Sequence, residues 1–157
     1  MMNRTDDYHI VDLTPATHER MKELSYHWLR KYDVLDEEDI PVLEDPFNEV
    51  MGQGGYFFVG MTGGEVVSCV ALEKTPEGDF EIAKLTVDER YSGRGYAVKI
   101  MEHAIGKAKE AGARRVILYT NSKLAPALGL YKKLGFRQVY REKSKYPSAD
   151  MEFELDI

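Results

Sequence analysis

The sequence predicts an α/β (α+β) fold in a single domain that covers residues 1–157. Two patterns support this class. Residues 56–87 alternate apolar runs with glycine-containing turns, which is typical of antiparallel hairpins. Residues 80–119 then give an apolar strand, a long amphipathic helix and a second apolar strand, which is typical of a parallel strand-helix-strand unit.

The composition fits one domain that buries its own core, because 43% of the 157 residues are hydrophobic and 31% are charged. The formal net charge of −6 argues against nucleic-acid binding, which needs a basic surface. No apolar run approaches the roughly 20 residues that span a bilayer, and the first residues lack the pattern of a signal peptide. We therefore expect a cytoplasmic protein without nucleic-acid or membrane partners, and a homodimer is compatible with the sequence.

The first part of the chain predicts one strand and two helices. Residues 8–13 form a short apolar run, and Pro15 follows at a position that suits the first turn of a helix. The apolar residues at helical spacing in this helix are Met21, Leu24, Trp28 and Tyr32. Residues 36–45 are acidic, with Pro41 within them and Pro46 directly after them, so we expect a loop or short turn there, followed by a short helix around residues 47–51.

The middle of the chain predicts three successive strands. Residues 56–61 and 65–74 are joined by Thr62-Gly63-Gly64, whose glycines permit the positive φ angles of a tight hairpin. A second turn at Pro76-Glu77-Gly78 leads into a strand at residues 80–87.

The distal part predicts two helices and two more strands. Small and apolar residues recur every three or four positions between 95 and 111, which indicates an amphipathic helix. Residues 116–119 suit an interior parallel strand that is covered on both faces. Residues 124–131 give another helix, which ends at Gly135, and the tail from Met151 alternates apolar and acidic residues as a strand with one solvated face.

The loop between the third of the middle strands and the long helix is a candidate phosphate site. Gly93 and Gly95 let the main chain approach a ligand, and the first N–H groups of the helix point toward it together with the positive end of the helix dipole. A simple turn would show the same pair of glycines. The dinucleotide-binding fingerprint does not fit, since Val98 stands where its third glycine is needed, and no Gly-Lys-Ser or Gly-Lys-Thr of a P-loop occurs.

The run from Glu81 to Phe136 resembles the acetyl-CoA-binding half of the Gcn5-related N-acetyltransferases (GNAT). It contains the strand, the loop Ser92-Gly93-Arg94-Gly95-Tyr96-Ala97, the helix, the second strand and then Leu130-Tyr131-Lys132-Lys133-Leu134-Gly135-Phe136. Gly95 and Ala97 match the family's loop signature, whereas Ser92 replaces its first Gln or Arg. The resemblance implies a mixed, mostly antiparallel central sheet of about six to seven strands, flanked by about four helices.

The same resemblance implies an acetyl-CoA site. Its residues are the main chain of Leu85, Thr86 and Val87 for the pantetheine arm, the loop residues Ser92, Gly93, Arg94, Gly95, Tyr96 and Ala97 for the diphosphate, and Asn121 and Lys133. Asn121 equally suits a turn or a helix cap. Arg90 or Arg94 would supply positive charge in place of the residue that Ser92 replaces.

Acetyl transfer from a thioester to an amine needs a proton acceptor for the amine and a proton donor for the departing thiolate. Glu81 is the leading base, because it is a carboxylate in an apolar strand and matches the position of a glutamate in many GNAT members. A solvated glutamate near a strand end is the alternative. Tyr131 is the candidate acid by its likeness to the family's closing motif, although helical periodicity alone also allows a core tyrosine.

The acceptor site is the least defined part of the sequence. By the resemblance, the first helices and the last hairpin shape it, which indicates Trp28, Tyr32, Tyr56 and Tyr146, together with the acidic run 36–39. The acidic residues would attract a cationic amine, or they form solvated surface. Ser148 stands where some small bacterial members carry arginine, so an anionic group recognised there would not be recognised here.

We therefore predict an acetyl-CoA-dependent N-acetyltransferase that transfers acetyl to a primary amine directly in a ternary complex. A small-molecule acceptor is favoured over a protein. The alternatives are an acetyl-CoA-binding regulatory module without turnover and a protein lysine or N-terminal acetyltransferase. We expect no acyl-enzyme, because Cys69 lies in an apolar run with no adjacent histidine, and no metal, because the histidines lack ligand spacing. These histidines are His9, His18, His27 and His103.

Overall fold

The computed structural model describes residues 7–140 and 146–157. These residues form seven strands, five α-helices and two 3-10 turns. In chain order the elements are β1 (His9–Asp12), α1 (Pro15–Lys31), α2 (Asp39–Glu44), α3 (Pro46–Glu49), a 3-10 turn (Met51–Gln53), β2 (Tyr56–Thr62), β3 (Glu65–Lys74), β4 (Phe80–Val87), a second 3-10 turn (Glu89–Tyr91), α4 (Tyr96–Glu110), β5 (Arg115–Thr120), α5 (Ala125–Lys133), β6 (Arg137–Val139) and β7 (Met151–Asp156).

The strands form one sheet in the order β1-β2-β3-β4-β5-β7-β6. All neighbours are antiparallel except β4 and β5, which are parallel and are linked through α4. The predicted fold class, a mixed and mostly antiparallel sheet flanked by helices, is confirmed. The parallel arrangement predicted for the strand at residues 116–119 is also present.

Helices cover both faces of the sheet and create two apolar cores. Because side chains alternate along a strand, Phe57 of β2 packs on one face with Met21 of α1, and Phe58 packs on the other with Ile100 of α4. We call these the α1 face and the α4 face. The two faces matter for the candidate site, because neighbouring residues of β4 also point to opposite faces of the sheet.

Two elements differ from the sequence prediction. Residues 39–44, predicted as a loop or short turn, form the helix α2. Pro41 is tolerated there because it lies in the first helical turn, where main-chain N–H groups have no partner within the helix. Strand β6 was not predicted, because its three residues are too few to show an alternating pattern.

The predicted solvated face of the last strand is wrong. Glu152 and Glu154 of β7 are only 6% and 5% exposed. Arg137 Nη2 lies 2.8 Å from one carboxylate oxygen of Glu154, and Arg115 Nη1 lies 3.3 Å from the other. The two guanidinium groups therefore compensate the burial of the Glu154 charge, which alternation of residue types cannot reveal.

We expect the substitution Glu154→Gln to lower the free energy of unfolding by about 1–3 kcal/mol, because it leaves two guanidinium groups without the charge between them. Asp156→Asn is the matched control. Asp156 also contacts Arg137, at 2.9 Å, but its side chain is 68% exposed, so its loss should change stability by about 0.5 kcal/mol or less. Urea unfolding of both variants tests the difference, and equal shifts would contradict the role given to burial.

Candidate active site

The candidate site is a cavity where β4 and β5 separate. In the part of the chain that the structure describes, the β4–β5 ladder pairs only Phe80 with Val116 and Glu81 with Ile117. Beyond Glu81 the two strands diverge, and the gap opens toward α1 and residues 146–149. Seven sequence-predicted site residues line this cavity: Trp28, Glu81, Leu85, Thr86, Asn121, Tyr131 and Tyr146.

A β-bulge in β4 shapes the floor of the cavity. Between the pairs Cys69–Thr86 and Ala71–Ala83, strand β4 has one residue more than β3. Lys84, within this bulge, has a φ of 60°, an angle that non-glycine residues seldom adopt. The bulge locally disrupts the ladder and turns the Lys84 side chain toward α2.

Glu81 lies at the inner end of the cavity and is 2% exposed. The Tyr146 hydroxyl donates a hydrogen bond to Glu81 Oε2 at 2.7 Å. Burial raises the pKa of the Tyr146 phenol above its ordinary value, and the nearby Glu81 charge raises it further. Tyr146 therefore keeps its proton and acts as a hydrogen-bond donor to the carboxylate.

A chain of polar contacts lines the side of the cavity next to the connection between α1 and α2. Lys84 Nζ lies 2.6 Å from Asp39 Oδ1, and both side chains are almost fully buried, at 5% and 6% exposed. Asp39 Oδ2 accepts a bond from the Asp36 main-chain N–H at 2.8 Å. Asp36 in turn accepts a bond from the Ser148 hydroxyl at 2.5 Å. The connection between α1 and α2 is therefore tied both to β4 and to the segment that carries Tyr146.

Tyr131 of α5 faces the same cavity and is 7% exposed. Burial raises the pKa of its phenol to about 12, and a hydrogen bond with the Thr120 side chain opposes part of that rise. Its ring packs against Phe136 and Phe153, with centroids 6.1 Å and 5.8 Å away. Tyr131 is thus both a core residue and a proton-carrying group at the cavity wall.

The glycine loop lies at the other end of β4, before α4. Gly93 and Gly95 have φ angles of 79° and 80°, so both use the left-handed region that favours glycine, and Gly95 immediately precedes the first helical residue. Ser92 and Arg94 are exposed. The Tyr96 side chain is 1% exposed, so only the main chain of Tyr96 can face a ligand.

The structure places three other predicted residues outside the lining of the cavity. Tyr32 packs against Trp28 with ring centroids 5.1 Å apart, and Tyr56 stacks on Phe58 on the α4 face. Lys133 is exposed in the last turn of α5.

Asn121 serves the turn after β5. Its amide donates to the Ser148 carbonyl, and its Oδ1 accepts from the Lys123 main-chain N–H at 2.9 Å. Arg90, named as a source of charge for the loop, instead pairs with Asp88 and with Glu65.

The contact of Lys84 was not predicted from the sequence. A lysine inside the apolar run 80–87 was the available signal, since a charge in a buried strand requires a partner. The partner, Asp39, lies in the segment that was predicted as a loop. Among residues 7–140 and 146–157, no group of three or more His, Cys, Asp or Glu side chains is placed to hold a metal ion. No helix in these same ranges has both the length and the apolar composition of a membrane span.

The comparison with protein families agrees with this architecture. Residues 15–136 match the acetyltransferase (GNAT) family. The chain therefore belongs to that family, and the predicted membership among N-acetyltransferases is confirmed.

Individual relatives differ in how much of the chain they share. The uncharacterized N-acetyltransferase YvbK of Bacillus subtilis (strain 168) is 29% identical over 102 residues, which are 63% of this chain and 66% of that protein. The [ribosomal protein bS18]-alanine N-acetyltransferase of Escherichia coli (strain K12) is 22% identical over 149 residues, covering 95% of this chain and 90% of that protein.

Solved structures share the whole fold at low identity. An acetyltransferase of the GNAT family from Staphylococcus aureus Mu50 superposes with a TM-score of 0.87 at 20% identity, over 95% of this chain and 98% of that chain. The PaiA N-acetyltransferase from Thermoplasma acidophilum, solved in complex with coenzyme A, has a TM-score of 0.76 at 17% identity, over 96% and 99% of the two chains.

We expect the buried pair of Lys84 and Asp39 to show strong coupling in a double-mutant cycle. Lys84→Met alone leaves the Asp39 carboxylate buried without its cation, and Asp39→Asn alone leaves Lys84 without its anion, so each should cost about 3–5 kcal/mol. The double variant should cost clearly less than the sum, by about 2 kcal/mol or more. Additive losses in urea unfolding would show that the ion pair does not hold α2 to β4.

Proposed function

We propose that this chain transfers acetyl from acetyl-CoA to a primary amine, by direct transfer in a ternary complex. The observation that carries the proposal is that a buried carboxylate, Glu81, and a buried phenol, Tyr131, line one cavity at the point where β4 and β5 part. Acetyl transfer to an amine needs one group of each kind, one to accept a proton and one to stabilise the leaving thiolate.

The gap between β4 and β5 is where we place the pantetheine arm of acetyl-CoA. Since the ladder ends at Glu81, the edge of β4 at Leu85 and Thr86 borders the gap and offers main-chain groups to an extended ligand, whose path would continue along Val87. The loop 92–97 at the end of that path offers main-chain N–H groups to the diphosphate, with Arg94 exposed beside it. Two residues remain expectations from the resemblance, Asn121 at the arm and Lys133 as a source of charge.

In the proposed reaction Glu81 accepts the proton of the acceptor ammonium, and the neutral amine nitrogen attacks the thioester carbon. As the C–S bond breaks, the Tyr131 phenol donates a hydrogen bond, and finally a proton, to the thiolate. The nitrogen loses its second proton to solvent as the amide forms, and a proton from solvent restores the Tyr131 phenol. An ordinary thiol has a pKa of about 8.5. Because the pKa of Tyr131 is about 12, its phenol first stabilises the thiolate through the hydrogen bond. It transfers its proton only at the end of the reaction.

The environment of Cys69 favours direct transfer over an acyl-enzyme. Its thiol is fully buried in the α1-face core and donates to the Lys84 carbonyl at 3.3 Å. Burial raises the pKa of the Cys69 thiol to about 11, so the nucleophilic thiolate is scarce at neutral pH.

A small cationic amine is the acceptor that the cavity supports best. Asp36, Asp39 and Glu81 line it together with Lys84, and carboxylates attract a cation. The bonds of Ser148 to Asp36 and to the Val34 carbonyl close the cavity between the α1–α2 connection and the segment of Tyr146. Trp28 forms another wall, with Tyr32 packed against it.

The second candidate acceptor is the α-amine of a protein N-terminus. It is favoured by one observation, the likeness over 95% of this chain to a relative named as a ribosomal-protein alanine N-acetyltransferase. Transfer of radiolabelled acetyl from acetyl-CoA into an extract of the source cells separates the two candidates. Label in the small-molecule fraction supports the first and label in protein supports the second. Absence of label despite acetyl-CoA binding would favour a regulatory module.

Glu81→Gln should lower turnover about 100-fold and shift its pH profile, because an amide cannot accept the ammonium proton. The dissociation constant of acetyl-CoA should stay within about twofold of the wild-type value, since Glu81 acts on the amine. The matched control is Glu154→Gln, which changes a buried glutamate outside the cavity. Full turnover in the Glu81 variant would rule out a base at this position.

Tyr131→Phe should lower turnover about tenfold to 100-fold with little change in KM, because it removes the phenol but keeps the packed ring. With a pKa near 12, the phenol stays protonated throughout neutral and mildly alkaline pH. Ionisation of Tyr131 should therefore not limit the wild-type rate below about pH 10. Unchanged turnover would remove Tyr131 from the mechanism.

A further inference from the structure

Tyr8, just before β1, reaches across the sheet to the start of α4. Its ring lies parallel to the ring of Tyr96, with centroids 3.8 Å apart and an interplanar angle of 9°. Its hydroxyl oxygen lies 2.8 Å from Ser68 Oγ of β3. The Tyr8 ring is therefore held by an aromatic stack and by a hydrogen bond at its far end.

An irregularity between β2 and β3 makes room for this ring. Gly60 pairs with Ser68 and Met61 with Val66, so β3 has one extra residue at Val67. A Cβ atom on Gly60 would overlap the Tyr8 phenol and the Ser68 hydroxyl. The Tyr8 ring can therefore occupy this position only if residue 60 is glycine, and its neighbours closely define where it lies.

The residue on which Tyr8 stacks begins the helix that follows the glycine loop. Tyr96 is the first residue of α4 and comes directly after Gly95. Tyr91, which precedes the loop, also lies near Tyr96, with ring centroids 6.2 Å apart. The ammonium of Lys99, one turn into α4, lies 5.8 Å from the Tyr8 ring and 5.9 Å from the Tyr96 ring. Tyr8 thus supports the first helical turn from the side of the sheet.

We propose that Tyr8 is a positioning residue for the diphosphate of acetyl-CoA. It would act through Tyr96, by fixing the first turn of α4 so that its main-chain N–H groups converge on the phosphates. Such donors are effective only when their directions are held, because a loose turn loses entropy on binding. The inference rests on the proposed function, in which the loop 92–97 receives the diphosphate.

The test compares two ligands that differ in the 3′-phospho-ADP part of CoA, which contains the diphosphate. The wild-type protein and the Tyr8→Ala variant are titrated with CoA by calorimetry and with pantetheine, which lacks the diphosphate, by NMR. We expect Tyr8→Ala to raise the dissociation constant of CoA about tenfold, equivalent to about 1.4 kcal/mol, and to leave that of pantetheine within about twofold. Tyr8→Phe keeps the stack and should change the CoA constant less than about threefold.

Two controls separate positioning from general loss of structure. Tyr140→Ala removes a tyrosine that is 83% exposed, and it should change neither constant. Tyr8→Leu keeps apolar contact without a stacked ring and replaces the alanine variant if that variant folds poorly. The ratio of the two constants is the decisive quantity, since partial unfolding weakens both ligands by the same factor.

An unchanged ratio in the alanine or leucine variant would overturn the role of Tyr8. A different result tests the proposed function itself. If wild-type protein binds pantetheine but CoA no more tightly, the loop 92–97 does not hold the diphosphate, and the inference falls with that assignment. If wild-type protein binds neither ligand, the acetyl-CoA site as a whole is wrong.

Discussion

The candidate site depends on one constraint, the separation of β4 from β5. The two strands pair at Phe80 and Glu81 and then diverge, which leaves one edge of an interior strand open in the middle of a sheet. An interior strand with unused main-chain groups is costly unless water or a ligand satisfies them. In the proposed function this open edge receives the extended pantetheine arm, and the cavity residues lie around its inner end.

The second constraint is the charge buried around that opening. Glu81, Asp39 and Lys84 are all nearly inaccessible to solvent, and buried charges persist only where bonds replace water. Tyr146 donates to Glu81, and Lys84 pairs with Asp39. Each of these contacts joins separate parts of the chain, so the polar groups that line the cavity also fix the positions of α2 and of Tyr146.

The sequence predicted the strands and the central helices well, because apolar periodicity and glycine turns are local signals. It also indicated Glu81 and Tyr131, which the structure brings into one cavity. It could not predict contacts that depend on tertiary geometry. Lys84 and Asp39 are 45 positions apart, and Ser148 and Asp36 are 112 positions apart.

The burial of Glu154 shows the same limit. An alternating strand looks half-solvated in sequence, whereas its carboxylate is covered by arginines from β5 and β6. No pattern within β7 itself distinguishes a solvated glutamate from one that arginines on neighbouring strands enclose. Such a contact becomes visible only when the order of strands in the sheet is known.

Both ends of the candidate site depend on departures from regular pairing on the two sides of β3. On one side, the extra residue in β3 near Gly60 makes room for the Tyr8 ring, which packs against Tyr96 at the start of α4. On the other side, the extra residue in β4 turns Lys84 toward Asp39, at the wall of the cavity next to α2. Bulges bend a strand and re-aim its side chains without breaking the sheet. A regular ladder would leave β4 straight and its side chains in strict alternation, so the irregular positions, rather than the regular core, give this chain its particular site.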